Sequence, residues 1–130
     1  MVNDLIGVPF VNGGRSTSLG LDCWGLVMEV FRRYDQTLPD FTVDAFACKV
    51  IDSLAGEEVG TRKWEQVHEP LEDHVPVVVL MRIHPAYISH AGVYLGGGNI
   101  IHTTEPTGVV ISQRNSLGNR IEGYYKPCSR

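Results

Sequence analysis

The sequence predicts an α+β fold in which N-terminal helices pack on an antiparallel β-sheet. Two observations carry this reading. In the first half, apolar residues recur at helical spacing; in the second, short β-branched runs are separated by Gly, Pro and Asn. Helices that precede the strands, rather than alternating with them, argue for antiparallel pairing.

The elements follow in order. The opening "GVPFVNGGRSTSLGL" reads as a loop punctuated by Pro and Gly. From Asp22 the pattern changes: Cys23, Leu26, Val27, Val30, Phe31 and Tyr34 share one helical face, and Asp22 suits the N-cap because its carboxylate can accept from first-turn amides. Pro39 ends any continuation. A second helix is expected over Val43 to Leu54, with Phe46, Ala47, Val50, Ile51 and Leu54 on one face, Thr42 at its start and Gly56 at its end. The segment from Glu57 to Asp73 carries no clear period, and Trp64 and Val67 are its natural anchors. The runs "PVVVLMRI", "HAGVYLG", "NIIHTT" and "GVVISQ" read as strands, with a last strand at Ile121 to Tyr125. With 130 residues, a single domain spanning 1–130 is expected.

Composition narrows the function. An apolar fraction of 43% supports a packed core, and a net charge of −4 with no long basic run gives little basis for nucleic-acid binding. No stretch approaches the ~18 apolar residues of a membrane span, so no membrane insertion is expected. The opening "MVNDLIGVPFVNGG" has neither a basic n-region nor an apolar core of signal-peptide length. The expectation is synthesis in the cytoplasm without a signal peptide, with any role outside the cell depending on delivery by a larger particle or lysis. Three cysteines, Cys23, Cys48 and Cys128, form no C-x-x-C pair and no disulfide framework. Cys48 reads as packed within the second helix and Cys128 as a tail residue.

Cys23 falls in the first turn of the first helix. The partial positive charge of a helix N-terminus favours thiolate, the nucleophilic form, while the Asp22 carboxylate opposes it unless turned into the cap. The same helix end offers amides to a developing oxyanion. Burial as a small apolar side chain is the competing reading. A nucleophilic cysteine needs a base, and among His68, His74, His84, His90 and His102, two flank the Gly96-Gly97-Gly98-Asn99 turn. A three-residue loop, Gly96 to Gly98, pairs Leu95 with Asn99 and sets His102 opposite Gly92, diagonal to His90 at roughly 7–8 Å between backbones. A two-residue loop, Gly97 and Gly98, sends the histidines to opposite faces. A shared site therefore requires the longer turn or a compensating bulge. In that site His90 takes the Cys23 proton and His102 fixes the tautomer of His90. A metal site built from His84, His90, His102 and Cys23 is the weaker alternative, because no compact ligand pair is present, and neither a metal nor a cofactor is expected.

The segments "PFVNGG" (Pro9 to Gly14), "DCWGLV" (Asp22 to Val27), "HAGVYLG" (His90 to Gly96) and "IIHT" (Ile100 to Thr103), in this order and spacing, resemble the NlpC/P60 cysteine peptidases, a family similar to a reduced papain. The resemblance implies a papain-like fold with Cys23 as nucleophile, His90 as base and His102 as the orienting third residue. It implies cleavage of amide bonds in peptidoglycan stem peptides, typically between D-glutamate and a diamino acid. Tryptophan after the cysteine, together with "LPDF" at Leu38 to Phe41, resembles the branch found in bacteriophage tails, which implies other tail proteins as partners and a virion-associated or wall-delivered location. A catalytically silent tail-tip component with the same fold is the alternative. Phe10, Asp22, Trp24 and Ser89 are the candidate substrate-binding residues, Trp24 being equally suited to the core. Two departures from the family pattern stand out: Phe10 replaces a tyrosine whose hydroxyl serves the active site, and no Gly-Asp precedes the strand before the base in "LEDHVPVVVLMRI".

Overall fold

A computed structural model describes residues 2–40, 64–69, 71–82 and 90–127. After a short 3-10 turn at Asn3–Leu5, strands β1 (Arg15–Ser16) and β2 (Gly20–Leu21) form a small hairpin that leads into helix α1 (Cys23–Arg33). The remaining elements are β3 (Trp64–Val67), β4 (Val77–Met81), β5 (His90–Gly96), β6 (Asn99–Thr104), β7 (Gly108–Gln113), the single turn α2 (Arg114–Leu117) and β8 (Ile121–Pro127). The expected helix at Val43 to Leu54, together with Cys48 and Cys128, lies outside the described residues.

Helix α1 begins where its cap residue predicts. Asp22 is extended, and its carboxylate Oδ1 accepts from the Gly25 N–H at 2.8 Å. Arg32 and Arg33 occupy the last turn, where the helix dipole favours cations. Its apolar stripe of Trp24, Leu26, Val27, Val30 and Phe31 is wholly buried. Burial of each large side chain contributes about 2 kcal/mol.

That stripe packs on one face of a six-stranded sheet of order β3-β8-β4-β5-β6-β7, antiparallel throughout. The α1 face carries Val78, Leu80, Ala91, Val93, Ile101 and Val109. The opposite face carries Val77, Val79, Met81, Tyr94 and Ile100 and is covered by Val67, Leu71 and Leu117. Both faces are buried, which is why "VVVLM" is apolar without alternation. The final strand runs two residues beyond the expected Tyr125, and Trp64 and Val67, the anchors expected in the unpatterned segment, are the buried ends of strand β3.

The β5–β6 hairpin takes the second of the two routes that keep its histidines together. Gly96 pairs with Asn99, so the turn is the two residues Gly97 and Gly98. Both have positive φ, 63° and 82°, as a type I′ turn requires. A register shift between Tyr94 and Gly96 leaves Leu95 as the extra residue of a bulge, and the pairs Tyr94–Ile100 and Val93–Ile101 follow. The expected Leu95–Asn99 pair and three-residue loop are thus corrected: glycine at both central positions makes the tighter turn accessible, and the bulge restores the face.

Thr103 stands on the α1 face of β6, fully buried, and its hydroxyl has no hydrogen-bond partner among the described residues. Leaving a buried hydroxyl unpaired costs about 1–3 kcal/mol. Thr103→Val keeps the branched shape and is expected to raise the free energy of unfolding in urea by about 1 kcal/mol.

Candidate active site

Two chain segments hold the tip of α1. The loop before it is laced to β2: the Leu21 N–H donates to the Pro9 carbonyl at 3.1 Å and the Val11 N–H to the Leu21 carbonyl at 3.2 Å, which sets half-buried Phe10 beside Leu21. Gly25 of the "DCWGLV" motif is a close-approach glycine, since a Cβ there would lie 2.3 Å from the Gly14 carbonyl oxygen. Arg15 clamps the junction by donating through Nη1 to Asp22 at 2.6 Å and to the Gly14 carbonyl at 2.9 Å, and through Nη2 to Asp40 at 2.8 Å. Asp22, a candidate for substrate contact, is therefore committed to the cap and to Arg15.

Cys23 is buried at this tip. The backbone amides of Ala91, Trp24 and Cys23 itself favour the charged form of its thiol. Strand alternation puts His90, Gly92 and Tyr94 on the face opposite Ala91 and Val93. Gly92 lies across from His102: a Cβ at Gly92 would meet the Ile101 carbonyl at 2.6 Å and the His102 Cβ at 3.0 Å, so only glycine lets β6 approach this closely. The rings of His90 and His102 meet edge to face with centroids 5.3 Å apart, and His90 Nε2 lies 3.1 Å from His102 Nδ1. Beyond them, His102 Nε2 lies 2.9 Å from the Ser112 hydroxyl on β7. Ser112 was not among the expected residues. Continuing the face argument one strand further, from His102–Val110 to Ser112 two residues on, would have found it.

Burial governs the electrostatics. Desolvation pushes the Cys23 thiol up to about 11, and the Asp22 charge adds to the rise. Desolvation also brings His90 down to about 4, with His102 contributing. His102 is lowered by burial and by the Arg120 cation. The helix-tip amides favour thiolate, but removal from water outweighs them and keeps the thiol protonated. At neutral pH Cys23 is therefore a neutral thiol and His90 a neutral imidazole.

Trp24 is corrected as a substrate residue. It is fully buried, donates through Nε1 to the Pro39 carbonyl at 2.9 Å and packs edge-on against Trp64 at 6.4 Å. An indole on the apolar stripe of α1 turns into the core, away from the thiol. Ser89 and His84 lie outside the described residues. Among the described residues, no three His, Cys, Asp or Glu side chains cluster closely enough to hold a metal ion, and no helix is long and apolar enough to cross a membrane.

A helix that opens on a cysteine packs here against an antiparallel sheet that carries two bonded histidines. Residues 7–121 match the family model described as NlpC/P60 family, and the chain belongs to that family. It is 34% identical over 108 residues to the gamma-DL-glutamyl hydrolase of Bacillus subtilis strain 168, a match covering 82% of this chain and 22% of that protein. The chain thus spans about a fifth of the length of this curated relative. Its fold is similar to the NlpC/p60 domain of peptidoglycan hydrolase SagA, with a TM-score of 0.60 and 20% identity over 94% of this chain and 89% of that one. It is also similar to NlpC2 from Trichomonas vaginalis, with a TM-score of 0.66 and 20% identity over 96% and 45% of the two chains.

The depressed value of His90 fixes the sign of an acid effect. Between 6.5, its ordinary value, and about 4, the unfolded chain binds the proton that the folded chain refuses. The contribution is fully present above 6.5 and is lost as pH falls through about 4. Urea unfolding at pH 7 and pH 4 is expected to differ by about 3 kcal/mol from this group, and His90→Asn should flatten the difference.

Proposed function

We propose that the chain is a cysteine hydrolase of peptidoglycan stem peptides, with Cys23 as nucleophile, His90 as base and His102 as the residue that orients it. The 3.1 Å bond from His90 Nε2 to His102 Nδ1 carries this reading, because it leaves His90 Nδ1 as the nitrogen for the thiol proton. Membership of the family and the likeness to a gamma-DL-glutamyl hydrolase support an amide bond at D-glutamate as the target.

The chemistry follows from a neutral pair. Substrate carbonyl carbon approaches the sulphur as the S–H proton passes to His90 Nδ1, so thiolate forms only as the carbon–sulphur bond forms. The first-turn amides at Cys23 and Trp24, which favour charge on the sulphur, stabilise the negative oxygen of the tetrahedral intermediate. His90 then returns its proton to the leaving amine, the C–N bond breaks, and a thioester remains. Water attacks the thioester with His90 again as base, and the thiol is regenerated. Phe10 supplies no hydroxyl to this oxygen, which leaves the helix amides as its donors.

We place the enzyme in a bacteriophage tail, synthesised in the cytoplasm and carried to the cell wall with other tail proteins as partners. The two features that resemble that branch form one packing unit here: the Trp24 indole donates to the Pro39 carbonyl of "LPDF", and Leu38 is buried beside them.

Mass spectrometry of muropeptides after incubation with the protein tests the activity. Stem peptides cut at one amide bond are expected, with Cys23→Ser and His90→Ala slower by about a thousandfold or more. Intact muropeptides would favour the silent tail component, and turnover by Cys23→Ser would remove the nucleophile from this account.

A further inference from the structure

We propose that Ser112 is a positioning residue for the thiol–imidazole pair: its hydroxyl accepts the Nε2–H of His102 and thereby holds both imidazoles in the tautomeric order that leaves His90 Nδ1 open to the thiol proton. This rests on the assignment of Cys23 and His90 as nucleophile and base.

The geometry is a diagonal across three strands. His90 on β5 stands two residues from Gly92, which faces His102 on β6, and Ser112 on β7 stands two residues beyond Val110, the partner of His102. All three share the face turned from α1. The two contacts, 3.1 Å and 2.9 Å, use both nitrogens of the His102 ring.

His102 is buried and held neutral by desolvation and Arg120. A neutral imidazole has one N–H and one lone pair, so the chain of bonds has two possible orders. In the first, His90 Nε2–H donates to His102 Nδ1, and His102 Nε2–H donates to Ser112. In the second, every direction is reversed, His90 carries its proton on Nδ1, and it cannot accept from the thiol. Once His90 is protonated it must donate from Nε2, so only the first order is compatible with the reacting state. Without the serine hydroxyl, the first order leaves a buried N–H unpaired, whereas the second leaves only a lone pair unpaired; an orphaned buried N–H is the rarer arrangement in folded proteins. Ser112 thus acts through His102 on the basicity of His90 and touches no reacting atom. Half-buried on the edge strand, it keeps its own O–H free to turn toward solvent.

The test is nitrogen-15 NMR of the imidazoles joined to steady-state kinetics, on wild type, Ser112→Thr and Ser112→Val. Threonine and valine have the same shape and both suit a strand, so only the hydroxyl differs; Ser112→Ala is a second hydroxyl-free variant if valine disturbs the fold. Wild type and the threonine variant are expected to carry the His102 proton on Nε2. The valine variant is expected to move it toward Nδ1 and to lose about tenfold in kcat with KM unchanged. Equal tautomers in all variants, or equal losses for threonine and valine, would overturn the role of the hydroxyl. The tautomers are read without turnover, so a wild type that cleaves nothing overturns the hydrolase reading and still leaves Ser112 to be decided by the spectra.

Discussion

One extra residue governs this site. Leu95 occupies a bulge between the pairs Tyr94–Ile100 and Gly96–Asn99. Remove it from the count and every residue of β6 moves one step against β5, which turns His102 to the α1 face and breaks its bond to His90. The tight Gly97–Gly98 turn and the bulge therefore work as a pair. The turn closes the hairpin in the twist its strands prefer, and the bulge corrects the register that this closure would impose. Glu72 reinforces the arrangement from outside the hairpin, accepting from the Tyr94 hydroxyl and from the Gly97 N–H, while the Gly98 N–H donates to that hydroxyl.

With the register set, the chemistry is a contest between burial and charge. The face that holds His90 and His102 is otherwise lined by Met81, Tyr94 and Ile100. Such surroundings disfavour an ion and lower both imidazoles, and burial at the tip of α1 raises the thiol in the same way. The helix tip moderates this without reversing it. Burial therefore keeps the thiol protonated, and a protonated thiol is less open to adventitious oxidation than a free thiolate.

Much of this was legible in the residues. Asp22 followed by Cys23, Leu26, Val27, Val30 and Phe31 specifies both the cap and the stripe of α1, because both are local properties of the chain. The strands from Val77 to Gln113 were legible for the same reason. The turn between His90 and His102 was not, since three consecutive glycines are compatible with either loop and tertiary packing decides. Trp24 was ambiguous because an indole suits a core or a cleft wall; the Pro39 carbonyl and the Trp64 ring, neither adjacent in sequence, settle it. The balance that sets the thiol's charge was not legible, because helix position is visible in sequence while desolvation is not. Ser112 carried no motif, and its meaning exists only through its distance to a ring on another strand.

Placing two imidazoles in an apolar face is itself destabilising, and the structure shows how the fold tolerates it. Each buried ring nitrogen that could be left unpaired is given a partner: His90 Nε2 to His102 Nδ1, and His102 Nε2 to Ser112. The remaining one, His90 Nδ1, is the nitrogen that the proposed reaction uses. Thr103, one residue from His102 but on the other face, shows the contrast, for its hydroxyl is buried with no partner among the described residues. The polar atoms on the histidine face are matched one to one because an error there would change a proton's position. On the α1 face, an unpaired hydroxyl weakens the fold and leaves that proton where it is.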